Sequence, residues 1–344
     1  MTDRQKKQWI TASDVAARAG VSRSAVSRAF SPSASIAPET RERVMSAARA
    51  LGYQVNLIAR DMITQRSSMI GVVTAGFENP FRARLLSDLM AALGHRGLTP
   101  LVTNAEDPRQ IRQSLERLLS YRVAGLVMTS ASPSLSVARQ YLAHRIPVVM
   151  INRAANLPGA DVVVSDNADG AGHAARLFAQ AGACRLAFVG PRDTSYSAKS
   201  RADAFAEALR RGEPGGPALV RIHDTSSDTY ACGVEAAQRL LADDARPDGV
   251  FCSSDLLALG VIDTARQRFG LRVPDDLRVI GFDDIPAAAY DVYRLTTLRQ
   301  DTQALANAAI DMLSERIDAQ DGMADGKSRT RIVPVECVRR HSCE

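Results

Sequence analysis

The sequence has no long apolar run: pieces such as 148–151 fall far short of the roughly 18 residues that a membrane span needs, so no membrane segment is expected. Its start, MTDRQKKQWITASD, places no apolar stretch of signal-peptide length behind the basic residues, which points to a cytoplasmic protein. The five cysteines, Cys184, Cys232, Cys252, Cys337 and Cys343, form no CxxC pair, and their odd number suits reduced thiols better than a disulfide frame. The five histidines add no metal-ligand spacing, so neither a metal nor another cofactor is expected. Also missing are a G-x-G-x-x-G or G-x-x-x-x-G-K-[ST] after a predicted strand, which weakens the nucleotide readings, and a G-x-S-x-G elbow, without which a Ser-His-Asp set is assembled only at will. No catalytic residue is assigned. Aromatics are few, at 5%, but 46% hydrophobic and 24% charged residues keep the chain among ordinary globular proteins.

What is present is unevenly distributed. Residues 1–66 hold 11 Lys+Arg against 5 Asp+Glu, a net of +6, whereas 67–344 hold 32 against 33, a net of −1. The basic excess therefore sits in the first fifth of the chain, as expected for a small polyanion-binding module on a nearly neutral body. At 344 residues the chain is long enough for two or three domains.

From residue 68 onward, short β-branched runs alternate with helical segments, the pattern of βαβ units and a mostly parallel sheet. Strands are predicted at 69–75, 99–104, 124–130, 147–152, 161–166, 186–191, 219–224, 249–255 and 278–284. Nine strands are too many for one comfortable open sheet, and a break near 152–160 (NRAANLPGA) splits them into two doubly wound subdomains. A helical stretch at 302–317 and one late strand at 331–338 must be shared between the two, so the chain crosses more than once and leaves a cleft.

The first 66 residues instead show short helical pieces. Thr11 and Asp14 form a capping box opening a helix over about 12–19, Gly20 ends it, and Ser22 caps a second helix to about Phe30. On that second helix Val26, Ala29 and Phe30 share one face, and Arg23, Ser24, Ser27 and Arg28 share the other. A third helix, from about 38 to 51, closes the bundle through Val44, Ala48 and Leu51. A plain three-helix bundle would satisfy the packing. The local charge and the free Arg/Ser face favour a helix-turn-helix that sets a helix in the major groove.

The string DVAARAGVSRSAVSRAF, continued by APETRERVMSAARALGYQVNLIARDM, resembles the headpiece of the LacI/GalR family of bacterial transcription regulators. The remainder is similar to the same family through IGVVTAGFENPF, VAGLVMTS, SRADAF, CSSDLLALGVI, VIGFDDIP and LTTLRQD. The resemblance implies an all-α helix-turn-helix headpiece over 1–55, a hinge over 56–67 and a periplasmic-binding-protein-like α/β body over 68–344. Within that body it implies one subdomain of about 68–164 and 302–331, and another of about 165–298 and 332–341. It further implies a homodimeric, ligand-responsive regulator, most readily a repressor, on a pseudo-palindromic double-stranded operator. By the same resemblance Arg23, Ser24 and Arg28 read bases, Thr11, Ser22, Ser27, Tyr53 and Asn56 hold phosphates, and Ala59 and Met62 belong to a hinge helix that enters the minor groove. The wedge position, usually Leu, is Met62 here with Asp61 beside it, and Ala37 departs from the usual Ser or Thr cap of the third helix.

Taken alone, the body suits a sugar-binding protein or a sugar-metabolising enzyme as well. Polar residues at the ends of predicted strands, Asn152, Asp166, Asp255, Asp283 and Asp284, are where open α/β folds bind ligands, although Asp166 and Asp255 also suit helix caps. The resemblance selects Asn152, Arg201 and Asp283 as the effector clamp, with Phe77, Phe81, Ser197, Ser254 and Asp255 around them. Carboxylates and a forked guanidinium suit the vicinal hydroxyls of a sugar. Relatives often carry Asp at the place of Asn152, so one negative charge fewer opposes Arg201 and a sugar acid becomes acceptable. No heptad follows Glu336, so no C-terminal coiled coil is expected.

Overall fold

The computed structural model describes residues 9–31, 34–55, 67–105, 108–129, 135–153, 157–212, 215–319 and 327–344. The chain divides into two compact units, Met1–Ser67 and Ser68–Glu344.

In the first unit α1 (Ala12–Ala19) begins at the expected capping box. The Thr11 backbone N–H and hydroxyl each donate to Asp14 Oδ2 at 2.8 Å, and the Asp14 N–H returns a bond to Thr11 Oγ1 at 3.4 Å. Gly20, at φ 65, supplies the left-handed turn that ends it. Ser22 then caps α2 (Arg23–Ala29), and α3 (Pro38–Leu51) opens on Ala37, which makes no side-chain cap. Val15, Ala16, Val26, Ala29, Val44 and Ala48 are buried together. Small alanines let the helices approach closely, and valine fills the angle between them.

The second unit begins with β1 (Met69–Thr74), α4 (Pro80–His95), β2 (Thr99–Asn104), α5 (Pro108–Ser120), β3 (Gly125–Met128), α6 (Leu135–Ala143), β4 (Val148–Ile151) and β5 (Asp161–Ser165). It continues with α7 (Asn167–Gln180), β6 (Arg185–Gly190), α8 (Tyr196–Arg210), β7 (Ala218–Asp224), α9 (Tyr230–Leu241), β8 (Gly249–Cys252), α10 (Asp255–Phe269) and β9 (Arg278–Asp283). The last elements are β10 (Thr296–Gln300), α11 (Thr302–Asp318), β11 (Thr330–Val333) and β12 (Val335–Val338).

Two six-stranded sheets result, in the orders β11-β5-β4-β3-β1-β2 and β12-β10-β9-β8-β6-β7. Every pairing is parallel except β10 with β12. Helices cover both faces, which is why β3 (GLVM) and β8 (GVFC) are buried at every position rather than alternating. The chain passes between the lobes after β5, after β10 and at Pro334. The late strand read as one piece over 331–338 is therefore two strands, β11 and β12, in different sheets. Proline has no N–H to continue a ladder, so it marks the change of sheet. β10 carries no strand prediction, because its TTLRQ sequence mixes polar and apolar residues, yet four of its five positions are buried. Among the described residues no helix is long and apolar enough to cross a membrane.

Candidate functional site

The headpiece offers one polar helix face. Arg23, Ser24, Ser27 and Arg28 on α2 are exposed, whereas Ala25, Val26 and Ala29 are buried. Ser22 Oγ accepts from the Ala25 N–H at 3.2 Å and lies 2.8 Å from Ser24 Oγ, so one hydroxyl both starts the helix and touches its exposed face. Tyr53 is half-buried, with its ring edge-on to Phe30 at 5.6 Å between centroids. A contribution not read from the sequence comes from Arg41 of α3. Its guanidinium donates to the carbonyls of Ala29 at 2.6 Å, Ala34 at 3.2 Å and Ser31 at 3.4 Å. It thereby satisfies carbonyls at and beyond the C-terminal end of α2 and fixes the angle of the helix. Asn56, Ala59, Asp61 and Met62 lie outside the described residues.

In the body, the C-terminal ends of strands from both sheets surround a polar cleft. Arg201, on α8, is almost wholly buried. Its Nε donates to Asn167 Oδ1 at 2.8 Å, its Nη1 donates to the Ser253 carbonyl at 2.6 Å, and its plane lies 3.4 Å from the centre of the Phe282 ring. Asp283 Oδ1 stands 3.9 Å from Nη1 and accepts from Gln300 Nε2 at 2.6 Å. Gln300 Oε1 in turn accepts from Asn152 Nδ2 at 3.0 Å and Ser165 Oγ at 2.6 Å, while Asn152 Oδ1 accepts from the Ser165 N–H at 2.9 Å. A continuous hydrogen-bonded chain thus joins β4 and β5 of one lobe to β9 and β10 of the other. Asn152 and Asp283 hold it with positive φ, 54 and 119, conformations that non-glycine residues adopt only when surroundings enforce them.

Burial also sets the charges. Desolvation lowers Arg201 to about 10, against the opposing pull of Asp283, Asp228 and Asp255. Asp283 is pushed up to about 7 by burial, with nearby Asp228 adding to the rise and Arg201 opposing it. Arg201 therefore remains a cation at neutral pH, while Asp283 is poised between charged and neutral.

Of the expected effector residues, Asn152, Arg201, Asp283, Ser197, Ser254 and Phe81 line the cleft. Ser197 Oγ donates to the Asn152 carbonyl at 3.3 Å across the lobes. Phe77 and Asp255 are not among the lining residues. Phe77 is 39% exposed. The Asp255 carboxylate is fully buried and committed, with Oδ2 accepting from the Ile285 N–H at 2.8 Å and Oδ1 from Thr297 Oγ1 at 2.6 Å. It ties the start of α10 to the end of β9 and to β10, and the cap of α10 is Ser254 instead.

Among the lining residues that sequence reasoning missed are Asn79, Arg82, Asp228 and Gln300. Asn79 before Pro80 carried a legible cap signal, and its Oδ1 accepts from the N–H groups of Phe81 and Arg82 at 3.0 and 3.5 Å. Nothing local marks Arg82, Asp228 or Gln300. Among the described residues no group of three or more His, Cys, Asp or Glu could hold a metal ion.

Two doubly wound lobes around a polar cleft, on a chain that also carries a helix-turn-helix, define a ligand-binding body joined to a DNA-reading module. Residues 175–343 match the periplasmic binding protein-like domain, and residues 11–56 match the bacterial regulatory proteins of the lacI family. The chain is 31% identical over 340 residues to the HTH-type transcriptional repressor PurR of Mannheimia succiniciproducens, covering 96% of this chain and 98% of that one. It is 30% identical over 312 residues to the ribose operon repressor of Escherichia coli, covering 89% and 93%. A crystal structure of the Lac repressor dimer bound to operator and the anti-inducer ONPF has the same fold, with a TM-score of 0.86 at 23% identity over 98% and 99% of the two chains. The chain belongs to the lacI family of bacterial regulatory proteins. It is a DNA-binding transcriptional regulator, not an enzyme.

Proposed function

We propose that this regulator is a cytoplasmic repressor that binds a pseudo-palindromic operator as a homodimer and responds to a sugar or sugar acid held in the body cleft. The observation that carries the reading is the presence, in one chain, of an exposed Arg/Ser helix face and a buried Arg201–Asp283–Gln300–Asn152 cluster lined with hydroxyls. The names of the relatives support repression, and the operator-bound structural neighbour is a dimer.

In this reading Arg23, Ser24 and Arg28 meet base edges in the major groove. Thr11, Ser22, Ser27, Tyr53 and Asn56 hold phosphates, and the hinge with Ala59 and Met62 enters the minor groove. Residues 1–55, 56–67 and 68–344 act as reader, hinge and sensor. Asn152, Arg201 and Asp283 clamp the effector with Ser197, Ser254, Phe81, Asn79, Arg82, Asp228 and Gln300, while Asp255 only positions the floor. Ligand alters the relative disposition of the lobes, and DNA affinity follows with a coupling of about 1–3 kcal/mol.

The test is a mobility shift on selected palindromic DNA. Arg28→Ala costs about 1–3 kcal/mol of specific binding and relaxes preference at one base position. An unchanged footprint and affinity would remove Arg28 from the reading face.

A further inference from the structure

Arg201 is held on several sides: Nε donates to Asn167, Nη1 donates to Ser253, and the guanidinium face lies against Phe282. The second cation of the cleft is placed differently. Arg82, in the first turn of α4, is 22% exposed, and its Nη2 donates to Asp228 Oδ2 at 2.7 Å. Asp228 comes from the other lobe, on the turn between β7 and α9, and is 23% exposed. The same oxygen accepts from Asn79 Nδ2 at 3.3 Å. Asn79 cannot turn away, because its Oδ1 caps α4. Two oriented donors on one lobe thus form a seat for a carboxylate, and the carboxylate seated there is supplied by the opposite lobe. The left-handed backbone at Gly76 makes room for the seat, since a Cβ there would collide with Arg82 Nη1.

We infer that this seat is the anion-recognition subsite of the cleft: the effector is an acid, and its carboxylate replaces that of Asp228 on Arg82 and Asn79. The inference rests on the reading of the cleft as the effector site and narrows it to anionic ligands. A neutral polyol has no group that competes with a carboxylate for a guanidinium, because charge-assisted bonds are about twice as strong as neutral ones. An acid exchanges one carboxylate for another and leaves Arg82 paired, so it avoids the cost of stranding a half-buried charge. Asp228 is free to leave: its backbone carbonyl is held by Ser254 Oγ at 3.5 Å, and only its side chain need swing toward solvent. Exchange moves the cross-lobe ion pair from the protein to the ligand, so binding registers directly in how the lobes are joined.

The test uses the full-length protein, with calorimetry and thermal shift against matched probes: D-glucose, D-gluconate, D-glucuronate and D-glucosamine, and D-galactose with its uronate and amine. Asp228→Asn removes the internal competitor without changing shape, and it tightens an acidic probe about tenfold, while Arg82→Gln weakens the same probe about tenfold or more. Arg82→Lys recovers part of the loss. In each variant the affinity for the acidic probe changes by more than that for the neutral sugar of the same skeleton. Tighter binding of the amine than of the acid, loss of amine binding in Asp228→Asn, or no acid binding to either the wild type or Asp228→Asn each overturns the exchange. Arg201→Lys decides the underlying reading separately: a probe that binds it as tightly as wild type is not in this cleft, whatever Arg82 does.

Discussion

Asp283 shows what burial does to one side chain. Its carboxyl, pushed up to about 7, holds its proton more tightly in the folded protein than in the unfolded chain, where a carboxylate titrates near 4. The stability it contributes is therefore fully present below about pH 4 and is lost as pH rises toward 7, with no further change above. Asp283→Asn keeps an oxygen for Gln300 Nε2 and cannot ionise. Its melting temperature, measured by circular dichroism, should exceed that of the wild type at pH 7.5 and approach it at pH 4. A variant that melts lower than wild type at pH 7.5 would mean that pairing with Arg201 outweighs the cost of burying the charge. Asn152 is explained at the same scale. Its Nδ2 supplies the donor that Gln300 Oε1 accepts, so an Asp there would set oxygen against oxygen in a buried chain. The Asn that reads in sequence as one charge fewer also completes a hydrogen-bond network, which residue identity alone does not reveal.

Among the elements, the headpiece helices were the most legible, because their determinants are local. Thr11 and Asp14, Gly20, and Ser22 act within one turn, and each does what its spacing implies. Ala37 is the exception that spacing also identified, since α3 begins there without a side-chain acceptor. Ala37→Ser should stabilise that end by about 1 kcal/mol, seen as roughly fivefold slower amide exchange in the first turn of α3. Unchanged exchange would mean that Pro38 already sets the helix start unaided. Elements of the body were legible where strands are buried on both faces and read as apolar runs. β10 escaped because its burial is supplied by neighbours, with Thr297 bonded to Asp255 and Thr296 to Arg340. β11 and β12 were merged because an edge strand and a change of sheet differ in sequence only by Pro334.

At the scale of the whole molecule, charge is partitioned by unit: the first 66 residues carry the net positive charge and the rest is nearly neutral. The logarithm of operator affinity should fall linearly with the logarithm of salt concentration, by about 0.9 for each phosphate neutralised. A flat dependence in a mobility-shift titration would show that the basic excess does not meet the phosphate backbone. Sequence by itself determined the three-helix headpiece and the two-lobed α/β class and set Asn152 and Asp283 at strand ends, since caps, periodicity and strand ends are short-range signals; Arg201, Ser197, Ser254 and Phe81 followed only from the family resemblance. Tertiary structure alone decided that Asp255 is a buried tie, that Gln300 links the lobes, and that Arg82 faces Asp228 across 146 residues of chain. The physical reason is distance along the chain. An ion pair between two lobes depends on where two folded sheets bring their strand ends, and no local pattern of residues encodes that meeting.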